Sequence, residues 1–318
     1  MQYLHALQCS LSFPMIKGKV IQSTGAWYRV KSENGLFYAC QLKGKLRLDA
    51  PRLTNSVVVG DEVAFEPAKA QATGVIQEIM PRKNYLIRQA THRKAYGQLL
   101  AANLDQALLI VNALNAATQL DFIDRFLVVT EAFEVPPCIV FNKIDLLDKM
   151  QQVALGRTKK LYEKLGYGAL SVSAHVPEDL TCFHQILLGK VSLLSGHSGV
   201  GKSTLVNAVA PAANQAVAHT PQFSEKGQHT TTYTALFEIS PNTFVIDTPG
   251  IQTLVPYAIE KKTLSHCFPE MRSRASACKF YNCTHQHEPA CAVLQALKKA
   301  EIAFSRYASY KKMIEDQA

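Results

Sequence analysis

The sequence predicts a multidomain chain of mixed α/β and β class. A small N-terminal β-barrel comes first, an α/β domain with a mostly parallel sheet follows, and a metal-binding segment with helices ends the chain. Residues 16–80 contain five short apolar or alternating runs separated by glycine-containing turns, a pattern typical of small barrels. From Asp105 onward, strand-like apolar runs alternate with helical patterns, which indicates an α/β domain. Near the end, three cysteines and two histidines lie within fourteen residues, as metal ligands often do.

The first domain is expected over residues 16–82, after an N-terminal extension over residues 1–15. Five short strands in a segment of this length fit an OB-fold. Four aromatic residues in these strands fit two roles, stacking on RNA bases or packing inside the barrel, and packing is the commoner of the two. They are Trp27, Tyr28, Phe37 and Tyr38. The predicted strands are Lys19–Ser23, Ala26–Lys31, Leu36–Leu42, Glu62–Glu66 and Gly74–Ile79.

The second domain is expected over residues 83–255. Residues 83–104 carry four Lys/Arg and no strong periodicity, which predicts a basic connector. The strands beyond it are near-continuous apolar runs, as in a parallel sheet covered on both faces. Ligands of such sheets bind at the carboxyl ends of the strands. The predicted strands are Ala107–Ala113, Pro137–Phe141, Ala169–Ser173, Val191–Leu194, Thr234–Ile239 and Thr243–Ile246, and the predicted helices are Asp121–Phe133, Gln152–Leu165, Glu178–Leu188 and Lys202–Val209.

A P-loop follows the strand Val191–Leu194 and opens the next helix, which is the context that this motif requires. Its glycines let the backbone close around phosphates, and the N–H groups of the helix N-terminus stabilise negative charge. Lys202 is expected to reach the β- and γ-phosphates, and the Ser203 hydroxyl to coordinate Mg²⁺. The expected nucleotide-binding residues here are Gly196, His197, Ser198, Gly199, Val200, Gly201, Lys202, Ser203 and Thr204.

Base choice is expected from Asn142-Lys143-Ile144-Asp145, which directly follows a predicted strand. The Asp145 carboxylate can accept two N–H bonds from the N1 and N2 edge of guanine. Adenine lacks that pair of donors, so the motif disfavours an ATPase. Lys143 is expected to lie along the base, and Asn142 to tie this loop to the P-loop. At the end of the next strand, Ser173 and Ala174 are expected to bring a backbone N–H to guanine O6. The alternative is that these small residues only end the strand and do not contact the nucleotide.

Two further segments predict groups that contact Mg²⁺ and the γ-phosphate. Asp247 ends a predicted strand near the P-loop, where it is placed to hold Mg²⁺, usually through water. The N–H of Gly250, in the same Asp-Thr-Pro-Gly motif, can meet the γ-phosphate. Between the P-loop and Asp247, a polar loop contains three successive threonines, and one of them can close over Mg²⁺ as a switch. Thr231 is the predicted ligand, although the pattern does not separate it from Thr230 and Thr232.

The guanine motif precedes the P-loop, whereas the P-loop comes first in an ordinary GTPase. This order indicates a circularly permuted core. With a barrel before it and a Cys/His cluster after it, the chain resembles the RsgA (YjeQ/EngC) family of GTPases that depend on the small ribosomal subunit. The resemblance spans about residues 16–318. It implies an OB-fold, a circularly permuted GTPase domain and a zinc domain. It also implies binding of the 30S subunit and its 16S rRNA, a role in late 30S maturation, and subunit-stimulated hydrolysis of GTP to GDP.

One position bears on the hydrolytic step. Ras-like GTPases place a glutamine just after the Asp-x-x-Gly motif to orient the attacking water. Here that position is Ile251, which cannot hydrogen-bond water, so intrinsic hydrolysis is expected to be slow. The family pattern that the chain resembles has a histidine where His229 stands, and His229 is the candidate catalytic residue. A loop histidine bonded only to backbone is the alternative.

The cysteine and histidine cluster predicts a structural zinc site. Three thiolates and one imidazole form the donor set of closed tetrahedral zinc sites. The segment over residues 256–318 has little core of its own, so metal ligation would supply folding energy. His287 could compete with His285, but the spacing in the resembled family favours His285. The predicted ligands are Cys278, Cys283, His285 and Cys291.

The formal net charge of +9 is concentrated in the two ends of the chain. Residues 1–82 and residues 256–318 each hold ten Lys/Arg against six Asp/Glu, whereas residues 83–255 hold fourteen against thirteen. Basic ends favour binding to a polyanion. The alternative is that these basic side chains only form a solvated surface. No run of 18 apolar residues is present, so no membrane partner is expected. The cysteine pattern and the lack of an evident secretory signal favour the cytoplasm, and a monomer is expected.

Two classes of function fit these observations. The first is a GTPase that acts as an assembly or checkpoint factor on the small ribosomal subunit. The second is a non-catalytic RNA-binding module in which the nucleotide is a structural ligand, and Ile251 lends this alternative some support. Turnover of GTP with and without small subunits separates the two classes.

Overall fold

The computed structural model describes residues 15–47, 53–68, 72–89, 97–210, 235–247 and 259–317. Its first unit is a closed five-stranded, OB-like barrel, as the sequence predicts. The strands are β1 (Ile16–Ser23), β2 (Tyr28–Ser32), β3 (Phe37–Leu42), β4 (Glu62–Pro67) and β5 (Thr73–Ile79). Neighbouring strands pair antiparallel except β3 and β5, which are parallel, and β4 returns to β1 to close the barrel.

Alternation along the strands divides the four aromatic residues of the barrel into two pairs. Tyr28 is buried, and the ring centroid of Tyr38 lies 5.0 Å from that of the buried Phe65. These two rings are part of the barrel core, as most strand aromatics are. Trp27 and Phe37, by contrast, are exposed. Because successive side chains of a strand point to opposite faces, the outward pair is available to a partner.

Residues 83–104 are not the irregular connector that their weak periodicity predicts. They contain β6 (Tyr85–Gln89) and β7 (Gly97–Ala102), which pair antiparallel as a separate two-stranded sheet. The hairpin is covered on both faces, since Leu86 and its neighbour Ile87 are both buried. A strand buried on both faces shows no polar–apolar alternation. In β7 the apolar residues are Leu and Ala and not β-branched residues, so β-strand propensity did not indicate a strand there either.

The α/β domain is built on a six-stranded, mostly parallel sheet, as the sequence predicts. Five strands are parallel in the order β10-β9-β8-β11-β13, and β12 pairs antiparallel with β13. At its outer edge β12 also meets β1, where Ala235 pairs with Gln22, so the barrel and this sheet are continuous. The strands are β8 (Gln106–Asn112), β9 (Pro137–Asn142), β10 (Gly168–Val172), β11 (Val191–Ser195), β12 (Ala235–Ser240) and β13 (Thr243–Asp247).

Helices cover both faces of this sheet. They are α1 (Leu120–Ala132), α2 (Lys149–Lys164), α3 (Pro177–Leu187) and α4 (Lys202–Val209). Residues of α1 and α2 pack in one hydrophobic cluster, and residues of α3 and α4 pack in another. The second helix begins earlier than predicted because Asp148 and Gln151 form a reciprocal capping box at its N-terminus. Within the described ranges, no helix is long and apolar enough to cross a bilayer.

The C-terminal segment contains α5 (Pro269–Ala275), α6 (Ala292–Lys298) and α7 (Phe304–Glu315). After the metal-binding segment, the apolar spacing in the sequence predicts one helix over about Ala292–Glu315, and that prediction is wrong because two helices occupy this range. The chain leaves α6 through Ala300, which has a φ of 57°. The N–H groups of Ala300 and Glu301 donate to the carbonyls of Leu297 and Ala296, which is the Schellman pattern that ends many helices. Glycine is the usual residue at this left-handed position, so an alanine there gave no stop signal.

The C-terminal segment is joined to the α/β domain by a buried ion cluster. Arg306 of α7 donates to the Asp124 carboxylate of α1 and to the Glu270 carboxylate of α5, with N···O distances of 2.7 Å in both cases. Arg306 and Asp124 are fully buried. Tyr162 of α2 donates its hydroxyl to the same oxygen of Asp124 at 2.9 Å. A buried guanidinium shared by helices of both units fixes how they pack, since separating them would leave charges without partners.

Candidate functional site

The candidate nucleotide site lies where the parallel strands end. Strand register places Asn112 beside Asn142, and Asn142 beside Val172, so the ends of β8, β9 and β10 are level. On the other side of β8, Leu194 of β11 pairs with Asp247 of β13. The loops that follow β9, β10 and β11 therefore emerge at one edge of the sheet, which is where open α/β sheets bind ligands.

The P-loop depends on glycine at two tight positions. Gly196 has a φ of 145°, and a Cβ there would lie 2.3 Å from the carbonyl oxygen of Ile110. Gly201 has a φ of 96°, and a Cβ there would lie 2.3 Å from Nδ2 of Asn142. No real Cβ contact is this short, so only glycine fits. The P-loop can therefore curl tightly after β11 and pass directly beside the guanine motif.

The N-terminus of α4 is suited to an anion. Gly201 caps the helix with no side-chain hydrogen bond, and the first turn holds no acidic residue. The unpaired N–H groups and the positive end of the helix dipole together attract phosphate. Ser203 and Thr204 are exposed in this turn. The Nζ of Lys202 donates to the carbonyls of Gly196 and His197 at 2.7 and 3.0 Å, so its ammonium group is held against the backbone of the loop.

The guanine motif is held against the P-loop by two side chains. Nδ2 of Asn142 donates to the carbonyl of Val200 at 2.8 Å, and Nζ of Lys143 donates to the carbonyl of Gly199 at 2.8 Å. Lys143 takes a left-handed φ of 68°, which turns the chain sharply after β9 and leaves Asp145 exposed. The structure thus brings together two motifs that lie more than fifty residues apart, in the arrangement expected of Asn142.

After β10, the backbone N–H of Ser173 donates to Oδ2 of Asp179 at 2.8 Å. That N–H is therefore engaged within the protein. Among the described residues, the N–H of Ala174 has no acceptor, so Ala174 is the better placed of the two to meet guanine O6. Asp179, which shapes this loop, is not among the residues that the sequence predicts for the site. An acidic residue in the first turn of α3 was the available signal, because such residues often accept N–H bonds at helix starts.

A second missed contact lies under the P-loop. The His197 ring stacks on the ring of Phe122 in α1, with centroids 4.0 Å apart and planes 31° apart. This tilted ring contact holds the His197 side chain against α1. The His197 ring is therefore engaged with α1, while its backbone carbonyl accepts a hydrogen bond from Lys202 within the P-loop. No sequence signal joined two residues so far apart in the chain.

Seven positions that the sequence singles out have little or no description in the structure. Thr231, His229 and Gly250 lie outside the described residues, as do Thr230, Thr232 and Ile251. For Asp247 only the backbone is described, and it ends β13 beside Leu194 of β11. The roles expected of these residues stay predictions.

The four predicted zinc ligands converge in one cluster. The ligand atoms of Cys278, Cys283, His285 and Cys291 all lie within 4.8 Å of one another. Nδ1 of His285 lies 3.6 Å from Sγ of Cys278 and 3.3 Å from Sγ of Cys291, and those two sulfurs are 3.9 Å apart. A tetrahedral Zn²⁺ with bonds of about 2.3 Å to sulfur and about 2.0 Å to nitrogen would separate its ligands by about 3.5–3.8 Å. The donor set and its spacing therefore fit zinc.

Neighbouring groups shape the loop that carries these ligands. Tyr307 and Tyr310 of α7 donate their hydroxyls to the carbonyls of His285 and Thr284, at 2.8 and 2.6 Å. The Glu288 carboxylate accepts N–H bonds from Thr284, Gln286 and His287. Burial opposes ionisation of Glu288, but these hydrogen bonds, with that from the Thr284 hydroxyl foremost, lower its pKa to about 2. The ligand loop is thus folded around a carboxylate as well as around the metal position.

The chemistry of the cluster also favours a cation. Burial, together with the neighbouring Cys291 and Cys278 thiols, raises the pKa of Cys283 to about 12. Burial lowers the pKa of His285, which favours the neutral imidazole that metals bind. Thiolates are the form that binds zinc, and a bound divalent cation would offset both their burial and their mutual repulsion.

Comparison with protein families matches two parts of the chain. Residues 17–76 match the model of the RsgA N-terminal domain, and residues 79–255 match the model of the RsgA GTPase. Full-length relatives carry the same name. The Small ribosomal subunit biogenesis GTPase RsgA of Bacteroides fragilis is 42% identical over 302 residues, which cover 95% of this chain and 97% of the relative. The protein of that name from Christiangramia forsetii is 39% identical over 304 residues, with coverage of 95% and 96%.

Two solved structures are similar over nearly the whole chain. YjeQ from Thermotoga maritima matches with a TM-score of 0.76 and 32% identity, covering 95% of this chain and 98% of YjeQ. YloQ, described as a circularly permuted GTPase, matches with a TM-score of 0.74 and 28% identity, covering 99% of this chain and 97% of YloQ. The order of the elements, with the guanine motif before the P-loop, is thus that of a known permuted fold.

Proposed function

The chain belongs to the RsgA family of GTPases, and on that premise we propose that it binds the 30S ribosomal subunit and assists late steps of its maturation. In this role it hydrolyses GTP to GDP and phosphate, and binding to the subunit accelerates turnover. The observation that carries the nucleotide part is the pair of 2.8 Å contacts from Asn142 and Lys143 to the P-loop. They join the base-reading loop to the phosphate-binding loop, so one nucleotide can bridge both.

For the base, we assign recognition to Asp145, which is exposed beside the anchored Asn142 and Lys143. Its carboxylate would accept the N1 and N2 hydrogens of guanine, while the Ala174 N–H would donate to O6. For the phosphates, the N–H groups from Gly196 to Thr204 would donate, and Lys202 would turn its ammonium from the loop carbonyls toward the β- and γ-phosphates. Release of two neutral carbonyl acceptors in exchange for phosphate oxygens favours this turn because both partners are then charged.

Two described features fit a site for Mg²⁺ beside the phosphates. The exposed Ser203 lies in the first turn of α4, and the backbone of Asp247 lies one strand away from β11. We propose Ser203 and Thr231 as ligands, with Asp247 acting through water and the Gly250 N–H meeting the γ-phosphate. When bound, Mg²⁺ neutralises charge that develops on the phosphates. Thr231 and Gly250 would then report the γ-phosphate by closing on it, and they would be released when it leaves.

We propose His229 as the residue that positions the attacking water, because Ile251 cannot do so. His229→Ala should keep the affinity for GTP and lose most of the subunit-stimulated turnover, since general positioning and acid–base groups contribute about 10²–10⁴-fold. Nucleotide titration and single-turnover hydrolysis on small subunits measure the two quantities separately. Stimulated turnover that persists in His229→Ala would remove this residue from the mechanism.

We further propose that the basic ends grip 16S rRNA and that one structural zinc holds the C-terminal end in shape. Residues 16–82, 83–255 and 256–318, after an extension over residues 1–15, are the proposed domains. The charge excess of the first and last domains supports this division of labour. We also propose a monomer that acts in the cytoplasm, where ribosomal subunits mature and where thiols stay reduced.

Binding to subunits tests the proposed function. The chain, loaded with a non-hydrolysable GTP analogue or with GDP, is sedimented with purified small subunits and, separately, with large subunits. The proposal predicts co-sedimentation with the small subunit in the GTP-analogue state and at least tenfold weaker binding in the GDP state. Equal binding to both subunits, or binding that ignores the nucleotide, would refute it.

A further inference from the structure

The helix that follows the guanine motif presents one long solvent-exposed face. Helix α2 begins at Lys149, four residues after Asp145, and it buries Leu155, Thr158 and Tyr162 against the rest of the domain. Residues three or four positions apart share one face of a helix. The exposed side chains with this spacing, on the side opposite the buried one, are Met150, Val153, Arg157, Lys160 and Lys164. We name these five residues the α2 outer face.

The first turns of this face are apolar. Met150 is 83% exposed and Val153 is 56% exposed. Leu146, in the turn between the guanine motif and α2, is 57% exposed. A single exposed apolar side chain is ordinary at a protein surface. Three large ones within eight residues, rimmed by polar groups, are typical of a contact surface.

The later turns of the face are basic and have no counter-charge. Arg157, Lys160 and Lys164 are all exposed. Within the described ranges, the side chains of α2 form one ion pair, between Lys159 and Glu163, and it lies beside the α2 outer face and not on it. The face itself contains no acidic residue. Its three positive charges can therefore be paired only by groups from outside.

A glycine in the middle of α2 adds an independent observation. Gly156 follows Val153 by three residues and precedes Lys160 by four, so it borders the α2 outer face. A Cβ at Gly156 would meet no described atom within 4 Å. Alanine would therefore fit there, and it is the better helix former. A bare backbone allows a second helix to approach more closely, because interaxial distance depends on the side chains at the contact.

These features together favour a protein partner over RNA. A phosphate backbone would pair with Arg157 and Lys160 but would give Met150 and Val153 no apolar surface to pack against. An acidic amphipathic helix supplies both kinds of group, since its apolar side chains can cover the first turns and its carboxylates can pair with the later ones. A helix is also the element whose backbone would use the space above Gly156.

We propose that the α2 outer face docks an acidic amphipathic helix of a small-subunit protein. Its apolar side chains would pack on Met150 and Val153, and its carboxylates would pair with Arg157 and Lys160. The inference rests on the proposed function in that it takes the partner from the small ribosomal subunit. It adds a protein contact to the RNA contacts proposed above, and it places that contact on the α/β domain beside the guanine motif.

A photo-crosslinker on this face identifies what contacts it. The full chain carries p-benzoylphenylalanine in place of Met150, is loaded with a non-hydrolysable GTP analogue, and is irradiated on purified small subunits. Nuclease digestion and mass spectrometry then separate protein from RNA crosslinks. We expect a crosslink to a small-subunit protein, within a segment that carries Asp or Glu beside apolar residues. The control has the same photo-crosslinker in place of Thr181, which is exposed on α3 across the sheet. A crosslink to 16S rRNA, to a second copy of this chain, or to nothing beyond the control would overturn the proposal.

Two substitutions separate helix docking from simple charge attraction. Gly156→Leu should weaken binding to small subunits by at least about fivefold, because the added side chain would hold a partner helix away. The control Thr181→Leu should leave binding unchanged. Met150→Lys should weaken binding by about tenfold through loss of an apolar contact, whereas an RNA partner would bind the added charge more tightly. Unchanged binding in Gly156→Leu, or stronger binding in Met150→Lys, would contradict the docking.

These readouts fail separately from the proposed function. If the wild-type chain binds small subunits while Gly156→Leu and Met150→Lys bind as tightly, the docking is refuted and the proposed function stands. If the wild-type chain does not bind small subunits, the proposed function fails and the docking fails with it. Melting temperatures of the free variants check the fold. Gly156→Leu should equal or exceed the wild-type value, since leucine is a better helix former than glycine.

Discussion

Removal of the buried Arg306 charge is the sharpest perturbation of the interface between the α/β domain and the C-terminal segment. In Arg306→Met, the Asp124 and Glu270 carboxylates lose a guanidinium that contacts each of them at 2.7 Å. Asp124 is fully buried and Glu270 nearly so, so neither can recover its hydration. Breaking a buried ion pair from one side costs about 3–5 kcal/mol. At about 1.4 kcal/mol per tenfold, that is a factor of about 10²–10⁴ in the local opening equilibrium.

Amide hydrogen exchange measures this opening directly. The slowest amides of α1 and α7 should exchange about 10²–10⁴ times faster in Arg306→Met than in the wild type. The matched control is Arg125→Met on α1, whose partners Asp121 and Asp316 are partly exposed. Surface pairs contribute about 0–1 kcal/mol, so exchange in the control should rise by about fivefold at most. If the two variants behave alike, the buried cluster does not hold this interface.

The cost of Arg306→Met should also depend on pH. Burial, opposed chiefly by the Arg306 charge, raises the pKa of Asp124 above its ordinary value. A carboxyl whose pKa is higher in the folded state than in the unfolded state binds protons more tightly when the protein is folded. Its ionisation therefore lowers the free energy of unfolding, and this loss grows as the pH rises from the unfolded pKa to the folded pKa. Removal of Arg306 raises this folded pKa further. The deficit should therefore be largest at high pH and shrink as the pH falls toward the ordinary carboxyl value of about 4.

Three further predictions concern the nucleotide and metal sites. Asp145→Asn should weaken GTP binding by at least about tenfold and should improve binding of xanthosine triphosphate, because an amide can donate to the xanthine C2 carbonyl. Unchanged GTP affinity in a competition assay would contradict the assigned base contact. Gly201→Ala should lower the melting temperature of the nucleotide-free chain more than Gly199→Ala does, because both glycines have positive φ but only the Gly201 Cβ would collide, with Asn142 at 2.3 Å. Equal losses would mean that the Asn142 contact is not tight. Cys283→Ser should reduce the zinc content well below one ion per chain and should lower the protection of the α6 and α7 amides against hydrogen exchange. The control Cys267→Ser, which lies outside the cluster, should keep stoichiometric zinc. A full zinc content in Cys283→Ser would exclude Cys283 as a ligand.

Local patterns were enough to predict most of the architecture. Barrel strands show two-residue alternation, and the parallel strands are apolar runs followed by motifs with fixed chemistry. The P-loop and the guanine motif are themselves short and contiguous, so their residues could be named before their contacts were known. The zinc ligands could be named for the same reason, because three cysteines and a histidine within fourteen residues leave few alternatives.

What could not be predicted depends on residues far apart in the chain or on exceptions to local rules. The break at Ala300 uses an alanine where glycine is usual, so the C-terminal helix was predicted as one piece. The β6–β7 hairpin is buried on both faces and shows no alternation. The ion pairs of Arg306 join three helices, and the contact of His197 with Phe122 joins the P-loop to α1. No periodicity or spacing reports such pairs, since tertiary packing alone brings them together.

The permuted order has a structural consequence for the C-terminal segment. The sequence places Asp247 only about thirty residues before the zinc ligands, so a movement of the Asp-Thr-Pro-Gly loop with the γ-phosphate state would have a short path along the chain to the zinc domain. The buried Arg306 cluster argues that any such movement would carry α1 along, because Asp124 belongs to that helix. Phe122 of α1 also contacts the His197 ring. The P-loop is therefore linked to the C-terminal segment through α1 as well as along the chain.

The rate of GTP hydrolysis as a function of ribosomal subunit concentration tests the central claim most directly. We expect slow turnover by the chain alone, because Ile251 cannot orient water, and a saturable rise of at least about 10²-fold with small subunits. Large subunits should produce no comparable rise. A turnover rate that small subunits leave unchanged would contradict the account and favour a nucleotide-dependent RNA-binding module without catalytic function.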